Sequence, residues 1–402
     1  MPVSEDAMSH IIDCHVTGLA GRDAPVFFEF DRHLNVFFGL NGTGKTSLLK
    51  ILHSAMSLDA EILKNVPFLN ATVTLYSIHH NETFKLSFTH DGLDKQEEIA
   101  TREWRFDPDG QRRRVTVRKP KLAWRYEQGS KELQANKNWH HRYLPTTRLY
   151  LGQPGTIPSG LIFSHESEFS PSTINEDSLE QQFASSMRYL WNSYTSEVFA
   201  AVRASQETGL ANILRDVLVA QDPTATQVDA LDFQVARKRV ENFLRRRGYK
   251  DLEVILANFD YKFREDPRLR RVVNDINTVE ASIEQAVSPL TNLSSLLSKL
   301  YSGGKAVDAT ERGLNVLLSN NAKLDLNLLS SGEKHILRIL VESLLANEST
   351  LIIDEPELSL HVDWQRPLVQ HLRALNAHAQ FILATHSPEI MADVPDKHVF
   401  RI

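Results

Sequence analysis

The chain has 402 residues, 42% apolar and 24% charged, which is enough to bury a core without covalent staples. Its 45 Lys+Arg against 51 Asp+Glu give a net charge of −6, which excludes a uniformly basic nucleic-acid coat but leaves room for a local basic patch. Cys14 is the single cysteine, so an intrachain disulfide and a cysteine-based zinc site are excluded. No apolar run reaches the ~18 residues of a membrane helix. The opening MPVSEDAMSHIID is acidic and lacks the apolar stretch of a signal peptide. The expectation is a cytoplasmic, soluble protein without a membrane span, of roughly two to three domains at about 150 residues each.

In chain order, residues 26–30 (VFFEF) and 35–38 (NVFF) are short, β-branched and aromatic, and read as strands. Residues 39–44 break that pattern with three glycines, and 47–52 (SLLKIL) continue with helical spacing. Residues 72–76 and 83–88 read as strands of an antiparallel meander, with Asn81 and Asp91-Gly92 near turns. Residues 101–150 carry 13 Lys+Arg and 5 Asp+Glu, a local net of +8 that leaves −14 for the rest. Residues 175–300 read mainly as helix, notably 233–247 and 272–300, where apolar residues recur three to four apart. Ser302-Gly303-Gly304 ends that region. Short strands at 313–317 and 324–328 follow, and the last 75 residues alternate strand and helix as an α/β core does.

Four motifs carry chemistry. Gly39-Leu40-Asn41-Gly42-Thr43-Gly44-Lys45-Thr46 matches G-x-x-x-x-G-K-[ST] between a predicted strand and a predicted helix, followed by Ser47. The glycines let backbone N–H groups close around phosphate oxygens. Lys45 supplies a point charge at the β/γ-phosphates, and the Thr46 hydroxyl suits Mg²⁺. Leu351-Ile352-Ile353-Asp354-Glu355-Pro356 is an apolar strand ending in two acids. Asp354 suits the metal's shell, and Glu355 suits orienting or deprotonating the attacking water. Leu329-Ser330-Ser331-Gly332-Glu333-Lys334 opens a helix with either a phosphate-facing N-terminus or a plain capping box; the two share one geometry. In residues 381–388 (FILATHSP) a strand delivers His386 at its C-terminal end, as a structural histidine or a ligand contact.

Taken in that order, GLNGTGKTS, LSSGEK, LIIDEP and THS resemble the nucleotide-binding cassette of ABC-type ATPases. The tail DEPELSLHVDWQ…FILATHSPEI is similar to the non-transporter Rad50/SMC/RecF group, and above all to the overcoming-lysogenisation class of ATPases found in bacterial defence systems. The resemblance covers about the first 50 and the last 75 residues. It implies an α/β fold: an ABC-type P-loop NTPase head with an antiparallel β subdomain and a helical insertion. The implied divisions are an N-terminal ATPase half at 1–174, a helical insertion at 175–305 and a C-terminal ATPase half at 306–402.

The resemblance also implies roles. Asn41, Gly42, Thr43, Gly44, Lys45, Thr46 and Ser47 would hold ATP and its Mg²⁺. Ser330 and Gly332 would contact the γ-phosphate of ATP bound to the opposite subunit of a homodimer. Glu355 would be the general base, His386 the γ-phosphate sensor, and Glu357-Leu358-Ser359-Leu360 the D-loop at the dimer interface. Gln153 is the candidate Q-loop glutamine near Mg²⁺, or an ordinary loop amide. Ser331 stands where transporters usually carry a second glycine. The insertion is too short for a long coiled coil and has no C-x-x-C, and with 16 residues after His386 the expectation is a chain without a Toprim nuclease domain.

Two functions follow as expectations. One is the ATPase component of an antiphage defence complex that controls a separate effector such as a nuclease. The other is a DNA-repair ATPase that clamps DNA directly. Arg112, Arg113, Arg114, Arg118, Lys119 and Lys121, with Trp104, Trp124, Tyr126 and Trp139 interleaved, would bind nucleic acid or else form a solvated basic face over buried tryptophans. Residues 245–247 and 268–271 offer the same choice between a polyanion site and a solvated helix with ion pairs.

Overall fold

The computed structural model describes residues 9–78, 80–90, 98–106, 112–120, 123–128, 141–146, 176–218, 233–246, 248–301, 304–310 and 313–402. In chain order the first elements are β1 (His10–Thr17), β2 (Val26–Glu29), β3 (Leu34–Phe38), α1 (Lys45–Ser57), β4 (Asn70–Ser77), β5 (Glu82–Thr89), β6 (Glu98–Phe106), β7 (Arg112–Pro120), β8 (Arg125–Gln128) and β9 (His141–Leu144). Helices α2 (Glu176–Leu218), α3 (Phe233–Arg246), α4 (Leu252–Glu265) and α5 (Pro267–Leu300) come next. The chain closes with β10 (Lys305–Thr310), β11 (Gly313–Leu318), β12 (Lys323–Leu324), α6 (Ser331–Leu345), β13 (Thr350–Asp354), α7 (Val362–Gln365), α8 (Leu368–Leu375), β14 (Gln380–Thr385), α9 (Pro388–Met391) and β15 (Val399–Arg401). Two compact units result. Residues 1–187, 296–307 and 315–402 form the first, and 188–295 with 308–314 form the second.

The first unit contains a parallel sheet of order β15-β3-β14-β13-β9. Every residue of β13 (TLIID) and β14 (QFILAT) is buried, so their near-continuous apolar text is that of strands covered on both faces. An antiparallel sheet of order β2-β1-β4-β5-β8 shows the other signature. Buried and half-buried residues alternate along β4 and β5, and Asn81 takes the left-handed φ of 48° between them. Helix α1 joins both sheets in one core: its Leu48, Leu49, Ile51 and Leu52 pack in a cluster that includes Val73 and Leu86 on one side and Ile352 and Ile382 on the other.

Gln380 ties the sheets by hydrogen bonding. Strand β1 bulges between Ile11 and Asp13, and its pairing with β2 covers only Asp13 to Val16, so Ile11 is paired with Leu75 of β4 but not with β2. The fully buried Gln380 side chain accepts from Ile11 N at 2.9 Å and donates to Ile11 O at 2.9 Å and Asp31 O at 3.1 Å. Its oxygen also accepts from Thr350 Oγ1 at 3.0 Å, so a buried amide is satisfied and the bulge is held in register. Strand β9 is fastened by Arg142, which pairs with Glu342 of α6 and donates to Leu345 O at 3.1 Å.

The second unit is helical. Helices α3 and α4 form a hairpin around Ala236, Phe259 and Phe263, with Val273 of α5 in the same cluster. Arg237 donates to both oxygens of Asp260 at 3.0 and 3.1 Å, which sets the register of the pair. A Cβ on Gly209 of α2 would lie 2.1 Å from Val279 Cγ2 of α5, so those two helices meet at that glycine.

One expectation needs correction, and for Trp124 an open choice is decided. Residues 324–328 are not a strand: β12 stops at Leu324, and Asp325 accepts from Asn327 N at 3.2 Å to open a 3₁₀ turn at Leu326–Leu328. Trp124 is not a base-stacking platform. It is 7% exposed, packs with Phe88 in the core, and donates Nε1–H to Ser54 Oγ at 2.9 Å.

Candidate active site

Four parallel strands deliver the site. Register pairs Asp354 with Ala384, Thr385 with Phe38, and Ile353 with Leu144. The C-terminal ends of β3, β14, β13 and β9 therefore share one edge, where open α/β sheets place ligands. Residues 39–46 leave β3, Asp354 ends β13, His386 follows β14, and Thr146 follows β9.

The loop after β3 is shaped by its glycines. Gly42 and Gly44 adopt φ of 85° and 98°, which an L side chain rarely takes. Gly39 has no such torsion but no room either, since a Cβ there would lie 2.4 Å from Ile402 O. Thr43 donates Oγ1–H to Leu40 O at 2.9 Å and closes the turn, and Leu48 N donates to Gly44 O at 2.9 Å to start α1. The Lys45 ammonium donates to Gly39 O at 2.7 Å and Leu40 O at 2.9 Å, so the cation lies over the loop's own carbonyls. Asn41 and Gly42 are exposed at the tip, and Thr46 and Ser47 are half-buried in the first turn of α1.

Asp354 is the anchor of the acid edge. It is 1% exposed; Oδ1 accepts from Thr46 Oγ1 at 3.2 Å and Oδ2 from Thr146 Oγ1 at 2.6 Å. Burial raises its carboxyl above the ordinary value, while the two hydroxyls, Lys50 and Lys45 pull the other way. Glu355 has a left-handed φ of 49°, a torsion that costs a non-glycine residue about 1–3 kcal/mol and is kept where the surroundings enforce it. Its N–H donates to Ala384 O at 2.8 Å, which fixes the turn against β14. His386 Nδ1 lies 3.7 Å from Glu355 Oε1 and 3.2 Å from Glu357 Oε1.

Ser330 caps α6 with a complete capping box: its hydroxyl accepts from Glu333 N at 3.3 Å, and Glu333 Oε2 accepts from Ser330 N at 2.8 Å. Lys305 reaches both Glu333 oxygens at 2.9 Å. Burial works against the charge of Glu333, but Lys305 and Ser330 outweigh it and hold the carboxyl below its usual value. A Cβ on Gly332 would lie 2.5 Å from Ser359 O, so the glycine lets the helix start touch the 357–360 segment. The structure thus brings Lys45, Thr46, Asp354, Glu355 and His386 to one strand edge, and sets Ser330 and Gly332 at the start of α6, with Gly332 against Ser359.

Gln153 and Lys121 lie outside the described residues. Arg112, Arg113, Arg114, Arg118 and Lys119 lie on β7, which pairs antiparallel with β6. Arg245 makes an i,i+4 ion pair with Glu241 at 2.7 Å, the arrangement of a solvated helix face. Two residues escaped the sequence reading. Thr146 is the first of two threonines after Pro145, with no local pattern to mark it. Glu357 was counted within the D-loop, but its role as a hydrogen-bond acceptor for the 385–387 turn was not. A third acid so close to Asp354-Glu355 was the available signal.

The donor set fits Mg²⁺. Hard oxygen donors are present, Thr46 Oγ1 and the Asp354 carboxyl, and they already converge. Among the described residues no group of three or more His, Cys, Asp or Glu could hold a metal by itself.

The chain resembles known proteins over parts of its length. The family described as "AAA domain, putative AbiEii toxin, Type IV TA system" matches residues 34–392. "Retron Vc95 probable ATPase" of Vibrio cholerae serotype O1 biovar El Tor is 29% identical over 96 residues, 21% of this chain and 19% of that protein. "Retron Ec83 probable ATPase" of Escherichia coli is 31% identical over 98 residues, 21% of this chain and 18% of that protein. The chain therefore matches under a fifth of the length of these curated relatives. The Smc head domain with an extended coiled coil from Pyrococcus furiosus aligns at a TM-score of 0.39 and 13% identity, over 96% of this chain and 92% of that one. The SMC head domain of Thermotoga maritima aligns at 0.36 and 13%, over 95% and 91%. Those TM-scores are too low to argue from.

Proposed function

The chain belongs to this AAA-domain family, and from that premise we propose that it binds and hydrolyses ATP as a dimerising molecular switch. The observation that carries the reading is the convergence of Lys45, Thr46, Asp354, Glu355 and His386 at the C-terminal edge of the parallel sheet. Lys45 turns from its loop carbonyls to the β/γ-phosphates, and the loop amides of residues 41–47 hold the remaining oxygens. Thr46 and Asp354 would hold Mg²⁺, which when bound would neutralise phosphate charge. Glu355 takes the proton of the attacking water, its carboxyl aimed by the strained turn. His386 contacts the γ-phosphate. Ser330 and Gly332 contact the γ-phosphate held by a second copy, so binding favours the closed pair and hydrolysis releases it.

Calorimetry with Mg·ATP tests the phosphate site. Lys45→Ala is expected to lose nucleotide affinity, and retained affinity contradicts the role. Beyond the ATPase, the reading is that the switch controls a separately encoded effector, such as a nuclease, in antiphage defence. The two retron ATPases among the relatives support it. Co-purification from the native host tests it, with an effector protein expected in stoichiometric amount. The second reading, direct DNA clamping, draws on the +8 charge of residues 101–150. Tight, ATP-dependent DNA binding by the isolated chain would favour it over effector control.

A further inference from the structure

We infer that Glu357 is a positioning residue of this site: through one carboxyl oxygen it holds the His386 turn and joins that turn to the 357–360 segment. The inference rests on the reading of His386 as the γ-phosphate contact, and it adds what sets that histidine's direction. Glu357 is buried, at 6% exposure. Its Oε1 accepts from Thr385 Oγ1 at 2.6 Å, His386 N at 2.8 Å and Ser387 N at 3.1 Å. His386 Nδ1 lies 3.2 Å from the same atom. The other oxygen, Oε2, is buried without a hydrogen-bond partner, so Oε1 carries the whole network.

The Thr385 hydroxyl and the His386 and Ser387 N–H groups all point at this one oxygen, which fixes the backbone on both sides of the His386 Cα and with it the direction in which the imidazole leaves the turn. Glu355 Oε1, at 3.7 Å, is the more distant of the two acids. Glu357 therefore orients His386, while Glu355 stays available for water.

The network continues toward the segment assigned to the dimer interface. Ser387 Oγ donates to Gln365 Oε1 at 2.8 Å, and Gln365 Nε2 donates to Leu360 O at 2.9 Å. Leu360 N donates to Glu357 O at 2.9 Å. Ser359, with its left-handed φ of 65°, puts its carbonyl against Gly332 at the start of α6. The 357–360 segment and the His386 turn are thus held by one hydrogen-bonded network within the chain.

Two full-chain variants test this. Glu357→Met keeps the length but offers no oxygen, whereas Glu357→Gln keeps an acceptor oxygen for the Oε1 position. In Glu357→Met the KM for ATP should stay within about threefold while kcat falls at least about tenfold, the range of a lost positioning partner. Glu357→Gln should keep kcat within about threefold of the wild-type chain, and a glutamine variant that falls as far as the methionine one overturns the inference. His386→Asn should fall as far as Glu357→Met, and the double variant no further than His386→Asn alone. A double variant that multiplies the two losses overturns the inference, because Glu357 would then act independently of His386. A readout apart from turnover is histidine NMR, with His386 assigned by difference from His386→Asn. Its ring resonances should shift in Glu357→Met and stay in place in Glu357→Gln; an unshifted signal in Glu357→Met overturns the inference. If the wild-type chain releases no phosphate, the ATPase reading falls, and the NMR arm still decides the role of Glu357. Should Glu357→Met not fold, Thr385→Val removes a donor to the same oxygen and is read in the same two ways.

Discussion

The loop at residues 39–46 and the acid edge at residues 354–387 leave neighbouring parallel strands, yet different forces hold them. The loop is made of backbone: glycine torsions at Gly42 and Gly44, a carbonyl-capped threonine, and a lysine folded over its own turn. The acid edge is made of side chains drawn from distant sequence, with Asp354 held by Thr46 and Thr146 and the His386 turn held by Glu357. A backbone-built site tolerates change poorly at its glycines but depends little on the rest of the chain. A side-chain-built site depends on every strand that delivers a member. Substitutions on the two sides should therefore separate binding from turnover.

The largest effect is expected on the acid side. Glu355→Gln removes the base and should lower kcat by about 1,000-fold while ATP still binds, since general bases contribute roughly 10²–10⁴-fold. Quenched-flow phosphate release with parallel calorimetry separates the two quantities, and normal turnover would remove Glu355 from the role. On the loop side, Lys45→Ala should weaken ATP binding about 100-fold, the size of a charge-assisted contact of about 1.5–3 kcal/mol. Here the loss should appear in affinity before it appears in kcat.

A smaller effect tests whether the acid edge needs its distant strand. Thr146→Val removes the 2.6 Å bond to Asp354 Oδ2 without changing side-chain size. The Mg²⁺ concentration for half-maximal nucleotide binding should rise roughly tenfold, as for a residue that orients a metal ligand. An unchanged Mg²⁺ requirement would show that Asp354 is placed by β13 alone.

The smallest effect probes the clamp between the two sides. His53 of α1 lies with Nδ1 2.7 Å from His141 Nε2 of β9, the strand that leads to Thr146. Its ring also stacks on Tyr143 at 4.7 Å. Burial pushes His53 down to about 4, with nearby Asp59 pulling weakly the other way. Below pH 6.5 the unfolded chain takes up a proton that the folded chain refuses. The associated stability is full above pH 6.5 and is lost as pH falls toward 4. Between pH 7 and pH 5 the loss should be about 2 kcal/mol. Urea unfolding of the wild-type chain and His53→Gln measures it, and the variant should lose most of the slope.

The same contrast explains what could be read from the sequence. The loop was legible because glycine spacing, a lysine and a hydroxyl residue form one contiguous pattern between a strand and a helix. Leu351-Ile352-Ile353-Asp354-Glu355 was legible because a strand buried on both faces reads as an unbroken apolar run before its acids. Thr146 was not, since its meaning depends on a strand pairing that brings it to an aspartate 208 residues away. Glu357 was not, because its partners are mostly backbone N–H groups of a later turn. For Trp124 the sequence left a stacking surface and a buried ring both open, and the packing against Phe88 and Ser54 places it in the core. At 326–328 an Asx turn at Asp325 overrode an apolar run that reads as a strand.

The central claim is that this strand edge hydrolyses ATP. Its most direct test is phosphate release from Mg·ATP by the purified full chain, with Lys45→Ala as background. Steady, Mg²⁺-dependent release well above that background is expected. Release no greater than that of Lys45→Ala, at ATP concentrations that saturate binding, would contradict it.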